Sequence, residues 1–179
     1  MGVMSLGALA GALLMTVWGG TRPRIHTMMV GLLITGAMFI VYGTTRQPLI
    51  LGIALFLLMA PLTIWGAVYV SIAQVKTPPD LQGRLFALVS QLGFVGSTAS
   101  FLLTGPLVDK VLEPAARRPG WQIVAPLVGQ GAGAGIGLLE VVTGILILVV
   151  TAAMYAWPLI RKMESTLPDY AAVAAEEQA

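Results

Sequence analysis

Residues 47–75 read QPLILGIALFLLMAPLTIWGAVYVSIAQV, and none of them is charged. The stretch exceeds the ~20 apolar residues with which a helix crosses a hydrocarbon layer of ~30 Å. It is too long for a strand and lacks the strict alternation of an outer-membrane barrel. Because backbone amides and carbonyls in lipid need partners within their own segment, we expect a transmembrane helix here.

Composition extends this expectation to the whole chain. Of the 179 residues, 57% are hydrophobic and 10% are charged, with a formal net charge of +2, whereas soluble domains average about 25% charged residues. Ten basic and eight acidic side chains cannot cover a water-soluble core of this size. The composition therefore excludes a soluble globular domain, a disordered tail and a partner that is a nucleic acid. With no cysteine and one histidine, we expect no cofactor and no metal site.

The uncharged runs together predict an all-α, polytopic transmembrane helix bundle of about five spans. These spans cover about 2–19, 25–43, 48–73, 84–107 and 135–158. Glycine and proline are dense in residues 109–134 and disfavour a helix, so this segment is predicted to be an external loop. Residues 1–162 then form the bundle, and residues 163–179 form a short acidic cytoplasmic tail.

The basic residues predict how the bundle is oriented. If the turn with Arg22 and Arg24 is cytoplasmic, six of the ten basic residues lie on that side and four lie on the other. The positive-inside rule favours this arrangement. We therefore expect an integral, multi-pass protein of the plasma (cell inner) membrane, surrounded by the lipid bilayer, with a cytoplasmic C terminus.

Two short loops on the predicted cytoplasmic side resemble loops of the major facilitator superfamily. Residues 17–26, VWGGTRPRIH, are similar to the basic turn after the second helix of a six-helix half. Residues 74–87, QVKTPPDLQGRLFA, resemble the Pro-Pro-Asp-x-x-Gly-Arg-[VL]-Phe loop of its efflux permeases, and residues 105–109 resemble the exit of the eleventh helix. The resemblance covers residues 2 to about 170. It implies a partial major-facilitator fold, in which this chain supplies the eighth to the twelfth of twelve helices.

The resemblance also implies a function and a set of gating residues. It implies a macrolide-type or siderophore-type exporter, a secondary active transporter that exports small organic molecules by alternating access with proton coupling. Since the substrate site of such a transporter lies between its two halves, the partners would be the missing amino-terminal half and a small-molecule substrate. The cytoplasmic gating loops would contain Gly19, Gly20, Arg22, Arg24, Pro79, Asp80, Gly83 and Arg84. The alternative for the arginines is anchoring at the membrane surface.

Five further side chains are candidates for contact with the substrate or with protons. Trp65 and Tyr69 are four residues apart on one helix face, where they suit apolar or cationic substrates, with helix packing as the alternative. Gln91 and Thr98 share a face of the fourth span at a spacing of seven, where small polar residues also mediate close helix packing. Glu140 is the ionisable group inside a proposed span, either a proton-coupling carboxylate or an acid near the outer mouth of the last helix.

Two other classes of function compete with export. A non-transporting membrane scaffold or anchor, derived from a degenerate permease, is favoured by Gly20 and Thr21, which stand where the family's turn carries an acid. An intramembrane enzyme would need Asp, His or Cys clustered at helix ends around a cavity. The predicted spans contain no such cluster, so we expect no enzymatic activity.

Overall fold

The computed structural model describes residues 2–166, 169 and 170, and within this part of the chain it is all α-helical, without strands. Four helical stretches are long and apolar enough to cross a membrane, and a fifth apolar helix is shorter. The chain is therefore compatible with a multi-pass membrane protein, and the predicted all-α bundle of about five spans is confirmed. The helices are α1 (Gly2–Trp18), α2 (Arg24–Thr44), α3 (Pro48–Lys76), α4 (Pro79–Leu107), α5 (Glu113–Ala115), α6 (Ala125–Val128), α7 (Ala134–Ala156) and α8 (Pro158–Thr166).

Helix α4 begins earlier than the charge pattern indicates. The fourth span was predicted from residue 84, but α4 starts at Pro79, and the link from α3 consists of Thr77 and Pro78. Proline suits the first helical position because it has no amide to leave unpaired. Asp80 lies in the first turn, where its negative charge complements the helix dipole. Asp80 and Arg84 therefore lie in the first turns of α4 and not in the link that precedes it.

The predicted external loop is folded. After Pro106 the helix continues through a π-helical turn, Val108–Leu112, into α5, and a 3₁₀ turn, Pro119–Ile123, precedes α6. Trp121 is 7% exposed and packs with Val128 and Val141. Its indole N–H donates to the carbonyl of Gly129 at 2.9 Å. Burial of this one aromatic side chain holds the segment against the start of α7.

Four of the five long helices form one layer, in the order α1, α3, α2, α7. Helix α4 stands apart from this layer: it contains no buried residue, and every residue from 87 to 107 is exposed. We call the end of the layer with the 19–23 turn, the 77–78 link and α8 the turn end. The end with the 45–47 link and residues 108–133 is the loop end.

Paired glycines bring α2 and α7 into contact. Gly36 faces Gly144 and Gly43 faces Gly137, so that each helix offers two glycines seven residues apart. A Cβ atom at Gly43 would lie 2.4 Å from the carbonyl oxygen of Gly137, and one at Gly144 would lie 2.6 Å from that of Gly36. Small residues are what allow such backbone contact between helices in lipid.

Helices α1 and α3 make a similar contact in the parallel sense. A Cβ atom at Gly7 would lie 2.5 Å from the carbonyl oxygen of Phe56, and one at Gly11 would lie 2.4 Å from that of Ala60. Both glycines are buried. The Gly-x-x-x-Gly spacing at the start of the chain therefore serves helix packing.

We expect Gly43→Ala to separate α2 from α7 and lower the free energy of unfolding by about 1–3 kcal/mol, the usual cost of overpacking. The free energy of unfolding can be measured on the purified chain in mixed micelles, by raising the fraction of a denaturing detergent until the helices unfold. Gly66→Ala is the matched control, because no atom lies within 4 Å of a Cβ at that helical glycine. Equal stability of the two variants would contradict a tight glycine contact.

Candidate functional site

The turn between α1 and α2 is closed by two threonines. Gly19 and Gly20 have φ values of +71° and +81°, which glycine adopts without steric cost. The amide of Thr21 donates to Oγ1 of Thr27 at 2.8 Å, and the two hydroxyls lie 2.7 Å apart. Gly20 and Thr21 stand where the resemblance leads one to expect an acid, and Thr21 contributes a neutral hydroxyl pair with Thr27 instead. Arg22 is exposed.

Arg24 joins the start of α2 to α3. Its guanidinium donates to Oγ of Ser71 at 2.5 Å, and the side chain is half-buried. Of the two arginines proposed for the basic turn, Arg24 therefore belongs to a contact between helices. Ser71 was not singled out by sequence analysis, and nothing in its local sequence indicates this partner.

Helix α8 crosses the turn end and binds both α2 and α3. Oε2 of Glu164 accepts a hydrogen bond from the backbone amide of Ile25 at 3.3 Å. The backbone carbonyl of Glu164 accepts a hydrogen bond from Nζ of Lys76 at 2.9 Å. The same ammonium pairs with Oδ1 of Asp169 at 2.8 Å. A carboxylate at the first turn of α2 and an ammonium in the last turn of α3 both complement helix dipoles. We call Arg24, Ser71, Lys76, Glu164 and Asp169 the turn-end clasp.

Two residues of the predicted acidic tail, Glu164 and Asp169, belong to the clasp. Residues 163–166 continue α8, and Glu164 and Asp169 are held by helix ends. Residues 171–179, with Glu176 and Glu177, lie outside the described residues.

The segment that follows Pro78-Pro79-Asp80 binds the end of α3 through the side-chain amide of Gln82. Nε2 of Gln82 donates to the carbonyls of Gln74 and Thr77, both at 3.0 Å. Gln74 lies in the last turn of α3 and Thr77 is its C-cap residue, where backbone carbonyls have no partner within the helix. The gating candidates of this segment lie in the first turns of α4 with exposed side chains or backbone, namely Pro79, Asp80, Gly83 and Arg84. Gln82 was missed, although the need for donors at a helix C terminus could have indicated it.

The structure brings together the two aromatic candidates of α3 and leaves the two polar candidates of α4 exposed. The rings of Trp65 and Tyr69 are stacked, with centroids 5.8 Å apart and planes 9° from parallel, and both are half-buried. Gln91 and Thr98 lie on the exposed part of α4. The hydroxyl of Ser97, between them, donates to the carbonyl of Phe94 in its own helix at 2.9 Å.

Glu140 belongs to the loop end. Its half-buried side chain lines a pocket of about 370 Å³, together with Tyr42 and Arg46. Arg46 donates to the carbonyls of Val128 and Ala132 at 3.0 and 3.3 Å, which holds its guanidinium at the end of α6. Glu140, in the second turn of α7, and Arg46 therefore line the same pocket.

A second carboxylate holds the start of α7. Oε1 of Glu113 accepts the amides of Gly133 and Gly135 at 3.1 and 3.2 Å. This is a helix N-terminal cap supplied from the preceding segment. The sequence analysis did not identify Arg46 or Glu113 as candidates. Their partners are backbone groups at least twenty residues away along the chain, and no local pattern indicates them.

A larger cleft lies between α1, α2 and α3, with a volume of about 590 Å³. It extends from the middle of these helices to the turn end. We call it the three-helix cleft. Its walls are lined by Ala10, Gly11, Leu14, Trp18, Thr21, His26, Thr27, Val30, Gly31, Ile34, Phe56, Leu57, Ala60, Pro61 and Ile64.

Among the described residues, no group of three His, Cys, Asp or Glu side chains could hold a metal ion. Comparison of the chain with protein-family models, with curated proteins and with solved structures finds no match. The clefts, the clasp and the exposed helix α4 are therefore the observations from which a function can be proposed.

We expect Lys76→Met to release α8 from the turn end, because it removes the ion pair to Asp169 and the hydrogen bond to Glu164. With Asp169 56% exposed, the loss amounts to about 1 kcal/mol, or roughly fivefold faster amide hydrogen exchange in α8. Lys110→Met is the control, because Lys110 is exposed and lies at the opposite end. Unchanged exchange in α8 of Lys76→Met would show that the clasp does not hold this helix.

Proposed function

We propose that this chain forms part of a secondary active transporter of the major facilitator superfamily. In this proposal it exports small organic molecules from the cell by alternating access, with proton coupling, and lies in the plasma (cell inner) membrane with its C terminus in the cytoplasm. The observation that carries the proposal is the isolation of α4, a span-length helix with polar side chains that packs on no other long helix along residues 87–107.

Helix α4 is unsuited to contact lipid on all sides. An amide or hydroxyl in hydrocarbon without a hydrogen-bond partner costs several kcal/mol. Gln91 carries such an amide, and Thr98 a hydroxyl on the same face. Further helices, or a water-filled cavity between helices, would satisfy them. A transporter built from two repeats supplies both, because its cavity lies between the repeats near the middle of the membrane.

The stacked aromatics of α3 suit the substrate class proposed here. Trp65 and Tyr69 offer two parallel π faces, half-exposed, on a helix with a proline one turn before them at Pro61. Flat aromatic faces bind apolar rings by stacking and organic cations by attraction to the ring quadrupole. Such surfaces bind a range of hydrophobic molecules with little directional demand.

The clasp supports movement of the layer as one body. Alternating access by rocking needs helices that keep their mutual contacts while the layer tilts. Glu164 and Lys76 join α2, α3 and α8 at the turn end, and the Gln82 amide joins α4 to α3. With these contacts, α2, α3, α4 and α8 would keep their hydrogen bonds to one another while the layer tilts.

The second candidate function is a non-transporting membrane scaffold. The observation that favours it is the Thr21–Thr27 hydroxyl pair, which replaces the acid that the resemblance places in this turn. A neutral pair holds the turn closed but has no charge with which to switch. The transporter and the scaffold differ in whether the chain produces flux, and for the transporter we expect that flux to depend on the polar groups of α4.

We expect Gln91→Leu to lower export by about tenfold, since loss of one hydrogen bond between this amide and the substrate costs about 1.4 kcal/mol. The measurement is efflux of ethidium from preloaded, energised cells that produce the chain together with the amino-terminal helices required by the proposal. Ser97→Ala is the control, because its hydroxyl is already bonded within α4.

Three outcomes of this experiment bear on the proposal. Loss of efflux in Gln91→Leu but not in Ser97→Ala supports a transport cavity at α4. Efflux that is no faster than in cells without the chain favours the scaffold. Efflux by the chain produced alone would contradict the need for a second half.

A further inference from the structure

The three-helix cleft exists because α1 and α2 both pack on α3 at small residues. Gly11 of α1 lies against the backbone of Ala60, and Gly31 of α2 lies near the backbone of Pro61, at 3.4 Å from a Cβ position to the carbonyl oxygen. The two helices thus flank α3 and leave space between themselves. At about 590 Å³, this space falls within the ~300–1,000 Å³ range of ligand pockets.

The depth of the cleft matches one leaflet of a bilayer. Its lining runs along α1 from Ala10 to Trp18 and along α2 from Ile34 to His26. Either run corresponds to about 12 Å of helix at ~1.5 Å per residue. Half of a ~30 Å hydrocarbon layer is ~15 Å. The length of the cleft is therefore close to the depth of one leaflet, which is the depth that an acyl chain occupies.

The chemistry of the cleft changes along this depth. Its deep part is lined by aliphatic and aromatic side chains, such as Leu14, Ile34, Phe56 and Leu57. Its polar lining residues, Thr21, His26 and Thr27, lie at the turn end. An apolar body with a polar mouth is complementary to a lipid, with the acyl chain inside and the headgroup at the surface.

Basic charge lies in the turn beside this mouth, because Arg22 directly follows the lining residue Thr21. Arg22 is exposed in the turn that closes the cleft, and within the described residues it makes no ion pair. Arg24 is held by Ser71. Both acids of the clasp are engaged by other groups: Glu164 binds the amide of Ile25, a buried residue that does not line the cleft, and Asp169 pairs with Lys76. Arginine at this depth favours an anionic headgroup, because its guanidinium pairs with phosphate.

We propose that the three-helix cleft binds one acyl chain of an anionic phospholipid from the leaflet at the turn end, with the headgroup phosphate at Arg22. The lipid fills the space that α1 and α2 leave above α3 and thereby completes the packing of this part of the bundle. The proposal needs only a bilayer around the chain. It stands or falls independently of transport.

Trp18 provides a direct test, because it lines the mouth and is 51% exposed. The chain is reconstituted in phosphatidylcholine vesicles that contain either brominated phosphatidylglycerol or brominated phosphatidylcholine in increasing proportion. Bromine on the acyl chain quenches tryptophan fluorescence on contact. The difference between the chain and its Trp18→Phe variant isolates the signal of Trp18. One arginine near the membrane surface contributes about 1 kcal/mol, so we expect phosphatidylglycerol to quench at roughly fivefold lower mole fraction.

Two pairs of variants separate the chain site from the headgroup site. Ile34→Phe fills the cleft and should remove the preferential quenching, whereas Leu33→Phe should retain it, because the neighbouring Leu33 is equally exposed, at 38% against 39%, but does not line the cleft. Arg22→Gln should abolish the preference for phosphatidylglycerol. Arg84→Gln, which changes an exposed arginine of α4 at the same end, should leave the preference unchanged.

The opposite results overturn the proposal. Equal quenching by both lipids that neither Ile34→Phe nor Arg22→Gln alters would indicate bulk lipid at Trp18. Quenching that Ile34→Phe removes but that does not distinguish the two lipids would overturn the headgroup assignment. Absence of quenching by either lipid would indicate that a further helix or another molecule occupies the cleft.

Discussion

Direct backbone contact between α2 and α7 at Gly36–Gly144 and Gly43–Gly137 is the interaction on which the rest of the structure depends. Lipid provides no hydrophobic force that drives helices together, so close van der Waals contact has to hold them. This contact fixes the position of α7 along its whole length. At the turn end it allows Tyr155 to meet His26, whose rings lie 5.8 Å apart. At the loop end it places Glu140 beside the pocket that Arg46 and Tyr42 line.

Polar side chains stabilise the two ends of the layer by hydrogen bonds, and apolar residues pack between these ends. At the turn end, Lys76 and Glu164 bind helix termini across α2, α3 and α8. At the loop end, Arg46 and Glu113 bind backbone groups of residues 128–135. Both sets use charge where helix ends leave amides or carbonyls without partners. The middle of the layer, where such charge would be costly in lipid, is held by glycines and aliphatic side chains.

The proposed function and the proposed lipid site draw on different surfaces of the molecule. Helix α4 is unpacked along residues 87–107 and carries polar side chains, which is why we place further helices and a cavity beside it. The three-helix cleft is apolar below and polar at its mouth, next to the exposed Arg22, which is why we place a lipid in it. The first proposal concerns what moves through a complete transporter, and the second concerns what surrounds this part of it.

The amino-acid sequence alone predicts the fold class and the number of long helices, because charge-free runs of more than ~20 residues admit one backbone solution in lipid. It also indicated the α3 face shared by Trp65 and Tyr69, since a spacing of four repeats along a helix. No local pattern predicts that α4 begins at Pro79 or that Trp121 is buried. Nor does one predict that Ser71, Gln82 and Glu164 make the contacts at the turn end. Local patterns encode periodicity and polarity, whereas these contacts depend on which helix ends the packing of glycines brings within hydrogen-bond distance.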